Sequence, residues 1–253
     1  MRVLVLGGTF EASKLADLLA GQSAISSKLS FAGRTNALRP PKIPYRIGGF
    51  GGVDGLNAYL ETERIDVLVD ATHPFAKQMS RHAAIAAARA KIPLVVLSRP
   101  AWVRQPGDHW IEVAEMAAAA VALGREPKRV FLTIGRLQIG AFSAAPQHFY
   151  LIRTIEPLAL SPGLPHHRVI HGRGPFTFEA EDKLLREEAI DVVVSKNSGG
   201  EAAFAKIRAA CDLGLPVVMV ARPQQASGLV YHDPVEVMAL LLHHCSTLTP
   251  RGV

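Results

Sequence analysis

Three apolar runs in the first half of this chain recur, in the same order and at a nearly constant offset, in the second half. Arg2-Val3-Leu4-Val5-Leu6-Gly7-Gly8-Thr9 is echoed by Arg129-Val130-Phe131-Leu132-Thr133-Ile134-Gly135-Arg136. Ile65-Asp66-Val67-Leu68-Val69 is echoed by Ile190-Asp191-Val192-Val193-Val194, which differs at one position, and residues 92–100 are echoed by 215–223. Short continuous apolar runs are the mark of strands buried on both faces, which means parallel sheets covered by helices. Fixed-order repetition of such runs means two similar α/β halves. The expected joint lies near Glu126 and Pro127, giving domains 1–126 and 127–253.

In the first half the run Val3 to Leu6 stops at Gly7-Gly8-Thr9, and a helical pattern follows over residues 10–20. Strand, glycine turn and helix N-terminus together suit a phosphate, because glycines let a ligand approach the backbone and a helix start presents unpaired N–H groups. The full Gly-x-Gly-x-x-Gly spacing is absent, with Phe10 and Ala12 in its later positions, so a plain structural turn explains this stretch alone equally well. Arg34 follows the second strand, residues 29–35, at the place where a dinucleotide-binding unit reads the adenosine ribose; a cation there pairs with a 2'-phosphate, unless it is simply solvated. Gly48-Gly49-Phe50-Gly51-Gly52 then separates a short strand, 45–47, from a helix over 53–62. A fourth strand, 65–70, ends in Asp70-Ala71-Thr72-His73-Pro74-Phe75-Ala76, with Pro74 placed for the first turn of an Ala-rich helix. His73 is either a capping residue there or a contact to a ligand.

The second half differs where ligands would sit. The glycine turn becomes Ile134-Gly135-Arg136, and the Asp70 segment becomes Ser195-Lys196-Asn197-Ser198-Gly199-Gly200. Arg136 and Lys196, each at a strand's carboxyl end, suit carboxylates facing the first half across a cleft, and Gly199 and Gly200 open a helix N-terminus toward an anion. Both cations are ordinary surface charges if the repeat is disregarded. Residues 149–174, with several prolines and His166, His167 and His171, read as a substrate-facing loop rather than a metal site, because no carboxylate or cysteine completes a ligand set.

Composition narrows the partners. Lys and Arg outnumber Asp and Glu by 28 to 22, so the partner is anionic, but the basic residues are scattered and only 6% of residues are aromatic. That argues against nucleic acid and for a small polyanion in a cleft. No apolar run approaches the roughly 20 residues of a membrane span, so no membrane partner is expected. Two cysteines, Cys211 and Cys245, form no disulfide framework and fit a reducing cytoplasm, and a monomer is the default.

Taken together, Gly7-Gly8-Thr9-Phe10-Glu11-Ala12, Gly33-Arg34, the Gly48 to Gly52 run, Asp70 to Ala76, Thr133-Ile134-Gly135-Arg136, Gly174-Pro175-Phe176 and Ser195 to Gly200 resemble the precorrin-6A reductase family of cobalamin biosynthesis. Ser195 stands where threonine is expected, with the hydroxyl retained. The resemblance implies two Rossmann-like domains, an NADP(H)-binding one at 1–126 and a substrate-binding one at 127–253. It implies NADPH as cofactor and reduction of one double bond of a polycarboxylated tetrapyrrole-derived macrocycle to give precorrin-6B; the residues themselves offer no metal site. Other enzymes of the cobalamin pathway become candidate partners. Carried over motif by motif, Gly7, Gly8 and Thr9 belong at the pyrophosphate and Arg34 at the 2'-phosphate, with Glu11 also among the cofactor-binding residues. Gly49, Gly51, Thr72 and His73 take the rest of the cofactor. Arg136, Lys196, Ser198, Gly199 and Gly200 hold substrate carboxylates, and Lys196, His73 or Arg136 offsets charge or donates a proton. The rival readings are a non-catalytic two-lobed module binding an anionic small molecule, and another nucleotide-dependent reductase.

Overall fold

The computed structural model describes residues 1–33, 40–158, 163–223 and 228–248. Two compact units emerge, one of residues 1–100 with 223–253, the other of residues 101–222.

In the first unit β1 (Arg2–Leu6) leads into α1 (Phe10–Leu19), followed by β2 (Ser26–Phe31), β3 (Tyr45–Ile47), α2 (Gly52–Thr62), β4 (Val67–Asp70), α3 (Lys77–Ala90) and β5 (Leu94–Leu97). The alternation of side chains along β1 decides the layering. Val3 and Val5 pack with Leu15 and Leu19 of α1, while Leu4 and Leu6 pack with Leu56 and Leu60 of α2 and Ala83, Ala86 and Ala87 of α3. Alanines on α3 let that helix lie close to the sheet.

The chain then crosses to the second unit: β6 (Trp110–Val113), α4 (Met116–Ala122), β7 (Arg129–Thr133), a 3-10 segment (Arg136–Ala144), β8 (Phe149–Thr154), β9 (His167–His171), α5 (Phe178–Glu187), β10 (Val192–Lys196), a 3-10 turn (Glu201–Ala203), α6 (Ala205–Asp212) and β11 (Val217–Val220). It returns to the first with β12 (Leu229–Tyr231) and α7 (Pro234–Leu248). Every pairing in both sheets is parallel.

The sheets run β12-β5-β4-β1-β2-β3 and β6-β11-β10-β7-β8-β9. Read from the last sheet position of each, both have the doubly wound order 3-2-1-4-5-6, with the sixth position exchanged: β6 follows the first half's strands yet joins the second sheet, and β12 does the converse. The expected α/β fold of two Rossmann-like domains with parallel sheets is therefore what the chain adopts. The division near 126 and 127 marks the repeat, whereas the compact units divide at 100/101 and 222/223. The physical reason is the exchanged strand and the helix after it: Val237, Met238 and Leu241 of α7 are buried in the core of the first unit.

Two smaller expectations are corrected. Residues 149–174 contain strands β8 and β9 rather than one loop. Pro74 does not open α3; it lies in a turn closed by Ala76 N–H donating to the His73 carbonyl at 2.7 Å, and the helix starts at Lys77.

Candidate functional site

Ligands in open parallel sheets bind beyond the carboxyl ends of the strands, beside the point where strand order reverses. In the first unit that point lies at β1 and β4, whose loops flank it, and the loop after the edge strand β3 lies on the same carboxyl side of the sheet.

The first loop divides its glycines between two tasks. A Cβ at Gly7 would come within 2.8 Å of Leu29 Cδ1, so this glycine serves packing against β2. Gly8 has φ +125° and nothing within 4 Å of a would-be Cβ, so it serves the backbone conformation and leaves open space above the turn. Thr9 is the N-cap of α1: its hydroxyl accepts from Ala12 N–H at 3.1 Å and donates to the Ala71 carbonyl at 2.8 Å. That hydroxyl is thus engaged in holding the first loop to the third, leaving the N–H groups of the first helical turn for an anion. Glu11 pairs with Arg99 at 3.4 Å, both side chains largely buried. A carboxylate in the first turn would repel a phosphate, and Arg99 offsets it. Sequence reasoning passed over Arg99, although a cation directly after a rim strand was the available signal.

The second loop is set by Arg46, also missed. Its guanidinium donates to Ser30 Oγ, to the Gly48 carbonyl and to the Gly49 carbonyl, each at 2.9 Å, and lies 4.0 Å from the Phe50 ring centroid. Gly51 and Gly52 follow with φ +82° and +92°, a stretch only glycine adopts cheaply, with open space beside both. Arg34 falls in residues 34–39, outside the described residues.

In the third loop, the buried Asp70 carboxylate accepts from the Thr72 hydroxyl at 2.7 Å and the Thr72 N–H at 3.1 Å. His73 Nδ1 accepts from Phe75 N–H at 3.2 Å, which assigns the proton of a neutral His73 ring to Nε2. Beyond this loop lies a cavity of about 210 Å³ lined by Thr72, His73 and residues of β5 and α3. The first unit thus places Gly8, Thr9, Gly49, Gly51, Thr72 and His73 on loops at the carboxyl edge of one sheet, with Glu11 in the first turn of α1.

The second unit carries cations on the equivalent edge. Arg136 is exposed and opens the 3-10 segment directly after Gly135, at φ +77°. Lys196 ends β10, and burial lowers its ammonium pKa from 10.5 to about 8. The loop after it is clamped. Asn197 Oδ1 accepts from Trp102 N–H at 2.8 Å while its Nδ2 donates to the Trp102 carbonyl at 2.9 Å. Trp102 Nε1 donates to the Gly200 carbonyl at 3.0 Å, and Arg222 donates to the carbonyls of Asn197 and Ser198 at 2.8 and 2.9 Å. Ser198 is buried, and Gly199 and Gly200 have φ +67° and +75°. The expected helix N-terminus at Gly199 and Gly200 is instead the short 3-10 turn, with α6 starting at Ala205.

Arg153 and Glu181, both almost fully buried, form a two-pronged ion pair, one contact at 3.2 Å, and the guanidinium stacks on Phe176 at 3.8 Å. Phe176 N–H donates to the Ala202 carbonyl at 3.3 Å, and a Cβ at Gly174 would come within 2.8 Å of the same oxygen. The pair thereby fixes the Gly174-Pro175-Phe176 loop on this edge. Among the described residues no three His, Cys, Asp or Glu side chains gather as metal ligands, and no helix is long and apolar enough to cross a membrane.

Two parallel sheets of this order, one edge glycine-lined and the other cationic, define a double Rossmann-like α/β protein, the architecture on which nucleotide-dependent reductases are built. The chain belongs to the Precorrin-6x reductase CbiJ/CobK family, whose sequence model matches residues 2–242. It is 47% identical over 252 residues to a precorrin-6A reductase of Rhodobacter capsulatus, spanning 100% of this chain and 99% of that protein. A precorrin-6A reductase of a Sinorhizobium species is 48% identical over 225 residues, spanning 89% of this chain and 86% of that protein. A solved structure of CobK precorrin-6A reductase superposes with a TM-score of 0.91 at 47% identity, covering 100% of both chains. The chain is thus a member of a reductase family, and the binding-module reading is not retained.

Proposed function

We propose that this chain reduces precorrin-6A to precorrin-6B with NADPH, in the cytoplasm, as a step of cobalamin biosynthesis. The full-length likeness to precorrin-6A reductases supports the substrate. The observation that carries the cofactor assignment is the Gly8 turn: open space above a positive-φ glycine, at the N-terminus of α1 and beside the point where strand order reverses. Those features fit a pyrophosphate. Cys211 and Cys245 form no disulfide, which fits a reducing compartment. Partners other than the macrocycle, where there are any, are neighbouring enzymes of the pathway rather than nucleic acid or membrane.

NADPH, when bound, supplies the hydride that carries two electrons to one carbon of the double bond, and the second carbon takes a proton. The protein's own residues bind, orient and offset charge. Gly8 and the first turn of α1 hold phosphate. Arg136 and Lys196 draw carboxylates of the macrocycle to the second sheet's edge, with Ser198, Gly199 and Gly200 shaping the loop beside them. Negative charge developing on the conjugated ring during reduction would be offset by the Lys196 ammonium or the Arg136 guanidinium. A proton can come from Lys196, whose pKa of about 8 is close to neutrality, or from Nε2 of His73.

Calorimetric titration with NADPH and with NADH separately tests the cofactor assignment. At least tenfold tighter binding of NADPH, about 1.4 kcal/mol, is the expected result. Equal affinity for the two removes the 2'-phosphate role of Arg34, and binding of neither removes the cofactor.

A further inference from the structure

The loop after β10 is held differently from its counterpart in the first unit. There the segment after β4 is tied within itself, Asp70 to Thr72 and His73 to Phe75, with one bond from Thr9. In the second unit Asn197 stands at the position that corresponds to Thr72, and its partners come from far along the chain. The pairing of β10 with β11 ends at Lys196, and Asn197 N–H adds one last bond, to the Val220 carbonyl at 2.9 Å.

Beyond that point side chains hold the backbone. Asn197 spans both backbone groups of Trp102, at 2.8 and 2.9 Å, as a neighbouring strand would. Arg222 takes the carbonyls of Asn197 and Ser198, and the Trp102 indole takes that of Gly200 at 3.0 Å. A peptide is planar and trans, so gripping these three carbonyls fixes three of the loop's peptide planes. The Trp102 ring is held in turn by Phe204, with centroids 5.6 Å apart, and by the Lys206 ammonium, 5.1 Å from its centre. That ammonium also donates to the Ala203 carbonyl at 2.6 Å. Residues 101–222 form this unit, so Trp102 and Arg222 stand at its two ends, and both ends close on one loop.

Such fixing has a use beyond the scaffold. Gly199 and Gly200 both have positive φ, and glycine has more backbone freedom to lose than any other residue. A free loop of this composition would have to be ordered each time a ligand bound, whereas a loop ordered during folding spares binding that cost. The scaffold alone does not require the clamp, because the first unit reaches the same sheet order without one.

We propose that Trp102, Asn197 and Arg222 are positioning residues, which hold the loop after β10 in one conformation so that Lys196 and Ser198 are already in place for the carboxylates of the substrate. The assignment rests on the substrate reading above. The three residues act through the backbone that they hold, not by contact with the substrate.

Two variants test the clamp. Trp102→Phe removes the indole N–H and keeps a ring beside Phe204, and Asn197→Ala removes both bonds to the Trp102 backbone. Tyr150→Phe, which loses a 2.7 Å hydrogen bond to the Ala145 carbonyl elsewhere in the unit, controls for a general loss of stability. Steady-state kinetics with precorrin-6A varied and NADPH in excess should show KM raised about fivefold by Trp102→Phe and about tenfold by Asn197→Ala, with kcat within about twofold of wild type. Hydrogen exchange of the free proteins should be faster over residues 197–203 in both variants. Tyr150→Phe should leave KM and the exchange of that loop as they are. Unchanged KM in both loop variants overturns the inference, and so does an equal rise in Tyr150→Phe, which would trace the effect to overall stability. Lys196→Met separates the two readings. If it raises KM about tenfold while the clamp variants do not, the inference alone fails. If it too leaves KM unchanged, the reading that this edge holds the substrate fails, and the inference with it. No turnover by the wild-type protein overturns the proposed function and the inference together.

Discussion

In its proposed role as a ligand of substrate carboxylates, Lys196 would set function against stability. Burial at the end of β10 lowers its pKa from 10.5 to about 8. That difference corresponds to about 3 kcal/mol, at 1.36 kcal/mol per unit, by which the folded state is penalised for carrying the charge at neutral pH. The sign follows from proton counting. Between pH 8 and 10.5 the unfolded chain keeps a proton that the native ammonium has released, so this group's contribution to stability rises across that window; below pH 8 the penalty is complete. Lys196→Met removes the charge and keeps most of the stem. Its second unit should gain up to about 3 kcal/mol at pH 7 in urea unfolding, a gain that shrinks to near zero by pH 10.5. The same substitution should weaken binding of precorrin-6A about tenfold or more, because a charge-assisted hydrogen bond contributes about 1.5 to 3 kcal/mol. The reasoning fails if Lys196→Met is less stable than wild type at pH 7, or if the stability difference is independent of pH.

The remaining predictions concern the second unit's interior. Glu181→Gln leaves the Arg153 guanidinium buried without its carboxylate and should cost about 3 to 5 kcal/mol, while the double variant Arg153→Met/Glu181→Leu recovers most of it; a single-variant cost below about 1 kcal/mol in urea unfolding would mean that the pair is solvated. His148 is fully buried, and desolvation, with Lys128 nearby, lowers its pKa from 6.5. Below pH 6.5 the unfolded chain takes up a proton that the native ring refuses, so wild-type stability should fall with acidification until the lowered native pKa is reached, and His148→Asn should flatten that slope; parallel slopes would show that other groups cause it.

The sheets were legible because their central strands are uninterrupted apolar runs, and no other element buries Val3 to Leu6 or Val192 to Val194 on both faces. The exchange of sixth strands was not legible. Trp110-Ile111-Glu112-Val113 and Leu229-Val230-Tyr231 are short edge strands with exposed residues, and nothing local to either segment says which of two similar sheets it will extend. β9, His167–His171, was hidden because only two of its five residues are apolar. Within the site, glycine positions could be read but not their reasons. Gly7 is required by Leu29, Gly8 by its backbone angle, and only the packed structure separates them. Of the residues that sequence missed, Trp102 and Arg222 act on groups that only folding brings near, a role that leaves no spacing signature, whereas Arg99 could be read from its place after β5 and Arg46 holds carbonyls two and three residues after it.

The internal repeat separates what the scaffold needs from what the chemistry needs. At the amino ends of the strands the halves agree bond for bond. Arg2 N–H donates to Asp66 Oδ2 at 2.6 Å, and Arg129 N–H to Asp191 Oδ2 at 2.7 Å. The Asp66 and Asp191 N–H groups return bonds to the Arg2 and Arg129 carbonyls, each at 2.9 Å, and the two arginine side chains reach the carbonyls of Glu63 and Glu188. At the carboxyl ends the same strands diverge. Gly8 stands against Gly135-Arg136, and Asp70 with Thr72 stands against Ser195-Lys196-Asn197. Identical anchoring at one edge and different chemistry at the other is the expected division in a parallel α/β sheet, where the amino edge contributes stability and the carboxyl edge binds ligands. An open glycine turn at a helix start suits a phosphate, whereas a clamped loop carrying a largely protonated lysine suits carboxylates. The two edges therefore differ in the ligand chemistry that they suit, a difference that supports the proposed function.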